Sequence, residues 1–578
     1  MGEWFTADNN TELFCDKYTK EELEGIYRTW YIRALDTFKW RRVEDYYRTY
    51  LTCDVAQLCD VLEHFAREVQ QEFDLNIHSY FGTPSLTWAA WLKHIEGKFE
   101  LEPVPEESFD IVMSSIRGGQ TGAMTRLYDS ETREEDKDTI CFDLDCNSLY
   151  ATVMLEMQYP CHDWKTERVI PSDKRLLLTW LHELHDNGRS GFIELTFDVK
   201  DNPELYSYMP VASRRRLQGI YCYRAMEEYA EEGEATARQL FSGLCNIVGL
   251  HEHYCCHTRL LEFYLEQDFI SVKEVYKCVH GKNEPVFHDY VKRNLDQRAA
   301  FADDAIKKML YKLMNNSLYG KTYEDVTKRQ SYEVEQTSKY EQIPEEQKKR
   351  EVLKLDKWVI YETYQRSFLM DKPIYLGAAI TEYSKLWMYR FFYAQIRPIY
   401  PAAQVLYTDT DALTIKFPRG VASLQQVAQA LMLRYGEQII DTSNWTDPKI
   451  MGPGTYEHNN RPGLFKSETD DHRIVKMAAL RAKTYIMVCD DGSVKMSVKG
   501  CPMKEKSKLT FEDFTDVLFG NGKPKTIEYD AIQSKYHIVK STTMTRVVLS
   551  ADDLKRYIHD DRIHTSPLFS TPHIQSQQ

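Results

Sequence analysis

Two pairs of aspartates have a spacing that can do chemistry. Asp409 and Asp411 lie one residue apart in VLYTDTDALTIKF, and Asp143 and Asp145 repeat that spacing in CFDLDCNSLY. Side chains alternate along a strand, so an extended run puts each pair on one face. Two like charges on a face pressed toward a core are costly unless a cation neutralises them. Two such strands side by side would form an oxygen-rich pocket suited to Mg2+ or Mn2+ rather than zinc, as two ions about 3.5–4 Å apart of the kind used in phosphoryl transfer. YTDTDAL also reads as a turn whose Asp side chains cap backbone amides, and one D-x-D alone favours that turn.

A basic row offers the complement. AIKKMLYKLMNNSLYGKT predicts a helix with Ile306, Met309, Leu310, Leu313 and Met314 on its apolar stripe and Gly320 as its stop. Lys308 and Lys312 are one turn apart, and Tyr319 follows near the same face. Such a row can hold a triphosphate while a ring stacks near a base. A solvated basic edge is the usual fate of helix lysines, but it leaves Asn316 and Tyr319 before a glycine unexplained. HEHYCCHTRL, residues 251 to 260, is rich in ligand-type residues, yet His251, His253, Cys255, Cys256 and His257 lack the separated pairs that close a tetrahedron around zinc.

The elements that must position these groups belong to a long chain. Its 578 residues exceed what one core supports, so several domains are expected. A net charge of −15 argues against a uniformly basic nucleic-acid coat but permits a local groove. Residues 466 to 546 carry 15 Lys plus Arg against 11 Asp plus Glu, a local excess that suits phosphate contacts. Thirteen scattered cysteines predict reduced thiols in an intracellular compartment. No run is long enough for a membrane span, and MGEWFTADNN has no signal-peptide pattern. Helical spacing is predicted from Thr19 to about Phe73, a linker in ELEPVPEESFD, a strand-like run in TICFDLDCNSLYATVM, and a solvated excursion in EQTSKYEQIPEEQKKREVLKLDK.

The motifs, in their order, resemble family B DNA polymerases. DCNSLY is similar to D-x-x-S-L-Y-P, KLMNNSLYG to K-x-x-x-N-S-x-Y-G, and YTDTDA to Y-x-D-T-D-S. RAKTYIM resembles the K-x-Y motif, LFKSE the L-G-x-x-K-x-E passage, and SVKGCPMKEK the K-G segment leading into the thumb. Upstream, SIRGGQT resembles the Y-x-G-G turn with Ile116 in place of Tyr, and YLTCD, ending at Asp54, resembles the third exonuclease motif. The long gap between the first two motifs and the charged insertion resemble the protein-primed branch of small phages, adenoviruses and Polinton-type elements.

The resemblance implies an α+β right-hand fold of palm, fingers and thumb. It implies that Asp145, Asp409 and Asp411 are catalytic and hold two Mg2+ or Mn2+ ions, with Asp143 only a neighbour. Tyr150 takes the place of a steric gate against the ribose 2′-hydroxyl. Lys308 and Lys312 would bind the triphosphate, Asn316 and Tyr319 would shape the nucleotide pocket, and Arg117, Gly118, Gly119, Lys483, Tyr485 and Lys499 would contact primer or DNA. Ala151 and Ala412 replace the usual Pro and Ser, and neither change removes a metal ligand.

The expected order is a partial exonuclease-like domain at 1–105, palm with motif A and a first insertion at 106–300, a fingers helix at 301–322, a second insertion at 323–372, palm with motif C and the K-x-Y motif at 373–490, and thumb with tail at 491–578. Asp54 follows Met1 too closely to be preceded by the other exonuclease carboxylates, so no proofreading is expected of this chain. The expected reaction is dNTP addition to a primer hydroxyl of DNA or of a terminal protein, on a DNA template, at sites of viral or element DNA replication in the host nucleus or cytoplasm. A DNA-primed family B polymerase and a catalytically silent polymerase-like scaffold are the rival readings, and retention of three carboxylates and two lysines disfavours the silent one.

Overall fold

A computed structural model describes residues 25, 32–39, 42–208, 210–213, 244–301, 303–326, 329–363, 372–445, 460–520, 524–535, 538–553 and 555–575. The chain divides into two compact units, Met1–Ala90 with Gln297–Met314, and Trp91–Asp296 with Asn315–Gln578. The first division falls earlier than the boundary expected near residue 105. The second falls inside the helix carrying the basic row.

In the first unit the expected helical stretch appears as Ile32–Phe38 and α1 (Val43–Phe73), while residues 1–24 lie outside the described residues. The Asp45 carboxylate accepts the Arg42 N–H at 2.8 Å, satisfying one of the free donors that open α1. Asp74 closes α1 in the left-handed conformation, with φ 52°. Within this unit Lys307 Nζ lies 2.9 Å from Glu68 Oε2, and Thr87 Oγ1 donates to the Met314 carbonyl at 2.7 Å.

The second unit is built on a mixed sheet. It begins with β1 (Thr121–Ala123) and β2 (Ile140–Cys146), followed by α2 (Leu149–Glu156). The run TICFDLDCNSLYATVM is therefore a strand only to Cys146. Ser148, with φ 53°, turns the chain into α2, so Tyr150 opens a helix rather than ending a strand.

An inserted layer comes next: β3 (Tyr159–Glu167), α3 (Lys174–Asp186), β4 (Arg189–Val199), β5 (Gly249–His257), α4 (Thr258–Glu266) and β6 (Ile270–Glu284). Its four strands form an antiparallel sheet in the order β3–β6–β4–β5. α5 (Ala305–Thr322) runs through Gly320 instead of stopping there. Its buried stripe is Leu310, Tyr311, Met314 and Leu318, whereas Met309 and Leu313 are exposed, so the apolar face is rotated from the predicted one. The charged excursion is an antiparallel sheet of β7 (Ser331–Gln336), β8 (Lys348–Lys354) and β9 (Trp358–Thr363) in the order β7–β9–β8, around a small core of Tyr340, Val359 and Tyr361.

After the buried helix α6 (Ile374–Tyr389) the chain returns to the main sheet with β10 (Gln404–Asp409), β11 (Ala412–Phe417), β12 (Phe465–Ser467), β13 (Ile474–Arg481), β14 (Thr484–Cys489) and β15 (Val494–Val498). The main path runs β1–β10–β11–β2–β13–β14–β15, with β12 also paired to β2. Strand alternation gives β13 two cores: Met477 and Ala479 pack with Tyr407, Tyr485 and Met487 on one side, while Ala478 and Leu480 pack with Phe514 and Leu518 on the other. A long hairpin of β16 (Lys525–Lys535) and β17 (Ile538–Leu549) lies beyond, within the segment expected to be thumb.

Candidate active site

Asp409 ends β10 and Asp411 precedes β11, with Thr410 between them at φ 70°. The run VLYTDTDALTIKF is thus a hairpin and not one strand. The two aspartates are brought together by a turn, and the Asp411 N–H donates to the Asp409 carbonyl at 2.9 Å. The period-two argument for a shared face therefore fails for this pair, and the turn reading holds for its backbone. It survives for Asp143 and Asp145, which both lie on β2.

β11 pairs with β2 so that Ala412 is opposite Asp145 and Thr414 opposite Asp143. On the other side of β2, β12 sets Lys466 opposite Asp145. The Cys146 N–H donates to the Asp411 carbonyl at 2.7 Å, which ties the end of β2 to the hairpin. Asp143 is buried and already satisfied: Lys495 Nζ lies 2.8 Å from its Oδ2, and Thr414 Oγ1 donates to Oδ1 at 2.8 Å. Lys495 also reaches Glu468 Oε2 at 3.3 Å.

Among the described residues, Asp145 has no such cation. Burial, then the Asp411, Glu468 and Asp143 carboxylates, push its pKa up to about 8, with Lys495 opposing. Asp411 is raised as well, chiefly by burial and then by Asp409 and Glu468. Carboxylates that repel each other in a partly buried pocket, with all-oxygen donors, fit hard divalent cations. Asp145 and Asp411 are the residues that would hold them. Asp409 differs, because Lys483 Nζ lies 3.4 Å from its Oδ1.

The glycine turn expected at DNA abuts this hairpin. A Cβ on Gly119 would lie 2.5 Å from Thr410 Cγ2 and 3.0 Å from Thr410 Cα, so only glycine fits there without displacement. The Thr410 N–H donates to the Gln120 carbonyl at 2.8 Å, and β1 pairs with β10 with Thr121 opposite Asp409. Gly118 is exposed. Arg117 is not: at 7% exposure its guanidinium donates to the Cys255 carbonyl at 2.6 Å and lies over the Tyr254 ring, while Lys385 Nζ donates to its carbonyl at 2.9 Å. Its side chain serves the fold, which corrects the expectation of a DNA contact.

Lys483 and Lys499 are exposed, and the Lys483 N–H donates to Tyr407 Oη at 2.8 Å. Tyr485 is buried with its ring 4.8 Å from that of Tyr407, so its ring belongs to the core beneath the site. Tyr150 stacks on Tyr319. Asn316 is exposed one turn before Tyr319, and Lys308 and Lys312 are exposed on the part of α5 that belongs to the first unit. Asp54 is exposed on α1, where it holds the Tyr50 phenol above its ordinary pKa.

The ligand-type residues of HEHYCCHTRL lie along β5, and its histidines have separate partners: His251 Nε2 lies 3.0 Å from the Ile247 carbonyl, His253 Nδ1 2.8 Å from Glu194, and His257 Nδ1 accepts the Arg259 N–H at 3.2 Å. Sequence reasoning missed Lys495, which no local pattern marks, and Glu468, which was visible as the last residue of LFKSE.

The family described as "DNA polymerase type B, organellar and viral" matches residues 6–398. Among solved structures, the chain is similar to Phi29 DNA polymerase in an orthorhombic crystal form, with 16% identity and a TM-score of 0.54 over 88% of this chain and 73% of that one. It is similar to the same polymerase complexed with single-stranded DNA, with 15% identity and a TM-score of 0.51 over 88% and 73% of the two chains. No curated protein sequence matches. At these identities the likeness establishes the fold, that of a right-hand polymerase.

Proposed function

This chain belongs to the organellar and viral type B DNA polymerases and is a DNA-directed DNA polymerase, and from that premise we propose that it extends a primer hydroxyl with dNTPs by two-metal phosphoryl transfer, with a terminal protein supplying the first hydroxyl. Bound Mg2+ or Mn2+ would activate the hydroxyl and offset charge on the phosphates. Asp145 and Asp411 would hold the ions, and Asp409, paired with Lys483, completes the acidic rim. The resemblance assigns Lys308 and Lys312 to the triphosphate and Asn316, Tyr150 and Tyr319 to the nucleotide pocket. Gly118, Lys483 and Lys499 face the primer and template backbone.

One observation carries this reading: Asp145 is a partly buried carboxylate set between Ala412 and Lys466 in the sheet, raised to about 8 by burial and by Asp411, Glu468 and Asp143. Protein priming rests on the resemblance in motif spacing and insertions. A chain without proofreading is proposed as well, on the resemblance alone, which assigns it one exonuclease-type carboxylate, Asp54, where two divalent ions need several.

The test is primer extension by the purified chain with Mg2+ or Mn2+, against Asp411→Asn. Extension of a DNA primer by the parent and none by the variant supports the carboxylate assignment. Equal extension by both overturns it. Transfer of a labelled dNMP to a Ser, Thr or Tyr hydroxyl of a candidate protein, in the absence of DNA primer, tests the priming mode separately. A labelled single strand that stays full length with Mg2+ supports the absence of proofreading.

A further inference from the structure

The inserted layer carries a cluster of histidines and glutamates that the polymerase reaction does not use. His182 and His185 are one turn apart on α3 in WLHELHD, and Glu262 and Glu266 are one turn apart on α4 in LLEFYLE. Helix geometry therefore gives each pair one face, and the fold turns those faces together. His182 Nε2 lies 3.2 Å from Glu262 Oε1 and 3.8 Å from Glu266 Oε1. Ligand atoms from His182, Glu262 and Glu266 all lie within 4.8 Å of one another.

Zinc bonds to imidazole nitrogen and carboxylate oxygen at about 2.0–2.2 Å, so neighbouring ligand atoms of a tetrahedral ion sit about 3.4 Å apart. The two distances bracket that separation. The third group is backed by a buried one. His185 is 6% exposed, its Nε2 lies 3.0 Å from Thr258 Oγ1, and that oxygen accepts the Gly191 N–H at 3.2 Å. Its Nδ1 faces the cluster and lies 3.0 Å from Glu262 Oε2. Arg259 Nη1 is 3.4 Å from the same oxygen, leaving Oε1 directed at His182. His182 and Glu266 have side chains 51% and 48% exposed, which gives an ion entry and leaves room for water as a further ligand.

We propose that His182, Glu262 and Glu266 form a second metal site, separate from the polymerase carboxylates, that takes a divalent transition-metal ion of the zinc class and fastens α3 to α4, with His185 and Arg259 orienting Glu262. Imidazole together with carboxylate favours zinc, cobalt or nickel over magnesium.

The test uses the full chain carrying Asp145→Asn and Asp411→Asn, so that the catalytic pocket does not contribute, stripped of metal and dialysed against zinc with excess Mg2+. Expected is at least one bound zinc, with one equivalent lost or weakened about tenfold or more in both His182→Ala and Glu266→Gln. Cobalt added instead should give a visible spectrum of four-coordinate ion in the parent and not in His182→Ala. Both substituted side chains are half exposed, so melting in EDTA should match the parent, and Glu266→Gln keeps the volume should His182→Ala fold poorly. Equal zinc uptake and affinity in the parent and both variants, or no uptake by the parent, would overturn the site and leave an ion-paired histidine. Primer extension plays no part in the readout, so this result is independent of the polymerase assignment.

Discussion

The rings of Tyr150 and Tyr319 lie face to face, with centroids 4.1 Å apart and planes 6° from parallel. The first turn of α2, which follows the Asp145 strand, is thereby joined to the C-terminal half of α5. Tyr323 Oη donates to Tyr319 Oη at 3.1 Å and holds the second ring from behind. Two half-buried aromatics so arranged present an edge on which a sugar can be sorted by exclusion.

Replacing Tyr150 with Val should raise the kcat/KM ratio of a ribonucleotide to its matching deoxynucleotide by about tenfold or more, while dNTP extension persists. Loss of the stack should cost about 0.5–1.5 kcal/mol, visible as a small fall in melting temperature. Tyr150→Phe keeps the ring and should keep the discrimination. An unchanged ratio in well-folded Tyr150→Val removes this residue from the nucleotide pocket.

Asp145→Asn should lower extension by at least about a thousandfold, yet stabilise the metal-free protein. The pKa of Asp145 is about 8 in the folded chain against an ordinary 3.8, so between those values the folded state binds the extra proton. Its contribution to stability therefore falls as pH rises from about 4 to about 8. In EDTA the melting temperature of Asp145→Asn should exceed that of the parent most at pH 8 and least near pH 4. Mg2+ added at pH 8 should stabilise the parent more than the variant. A variant no more stable than the parent at pH 8 refutes the strained carboxylate.

Gly119→Ala should displace the Asp409–Asp411 turn, because the added carbon meets the Thr410 backbone as well as its methyl. Extension should fall tenfold or more with a smaller effect on melting, an estimate from the sensitivity of rates to misplaced groups of about 1 Å. Thr410→Gly removes the methyl and relieves the positive φ, so the double variant should recover part of the loss. Additive losses would show that the contact does not position the turn.

Arg117→Met should unfold at a lower temperature and leave DNA affinity, measured well below that temperature, within about twofold of the parent. Its guanidinium is held by the Cys255 carbonyl and the Tyr254 ring rather than exposed to phosphate. By contrast, Lys499→Ala, at an exposed cation, should weaken DNA binding and reduce its salt dependence. A large loss of affinity in folded Arg117→Met restores the DNA role.

The motifs and their order were enough, through the resemblance they carry, to propose Asp145, Asp411, Lys312 and Tyr150 as site residues, since phosphoryl transfer needs carboxylates and ammonium groups whatever the fold around them. Helical periodicity located α1 and α5, and the basic row of α5 is exposed as its spacing required. Periodicity is a local property, however, and it failed where a long-range contact decided the outcome. The hairpin at Thr410 depends on Gly119, nearly three hundred residues earlier, filling the space beside it. Rotation of the buried stripe of α5 away from Met309 and Leu313 was set by packing that the helix itself does not encode. Asp143 is neutralised by Lys495 across 352 residues, Arg117 is drawn inward by a strand of the inserted layer, and two one-turn pairs, His182 with His185 and Glu262 with Glu266, become one cluster only when α3 meets α4. Charge and residue type are written along the chain, but which charge meets which partner is a property of the folded contacts.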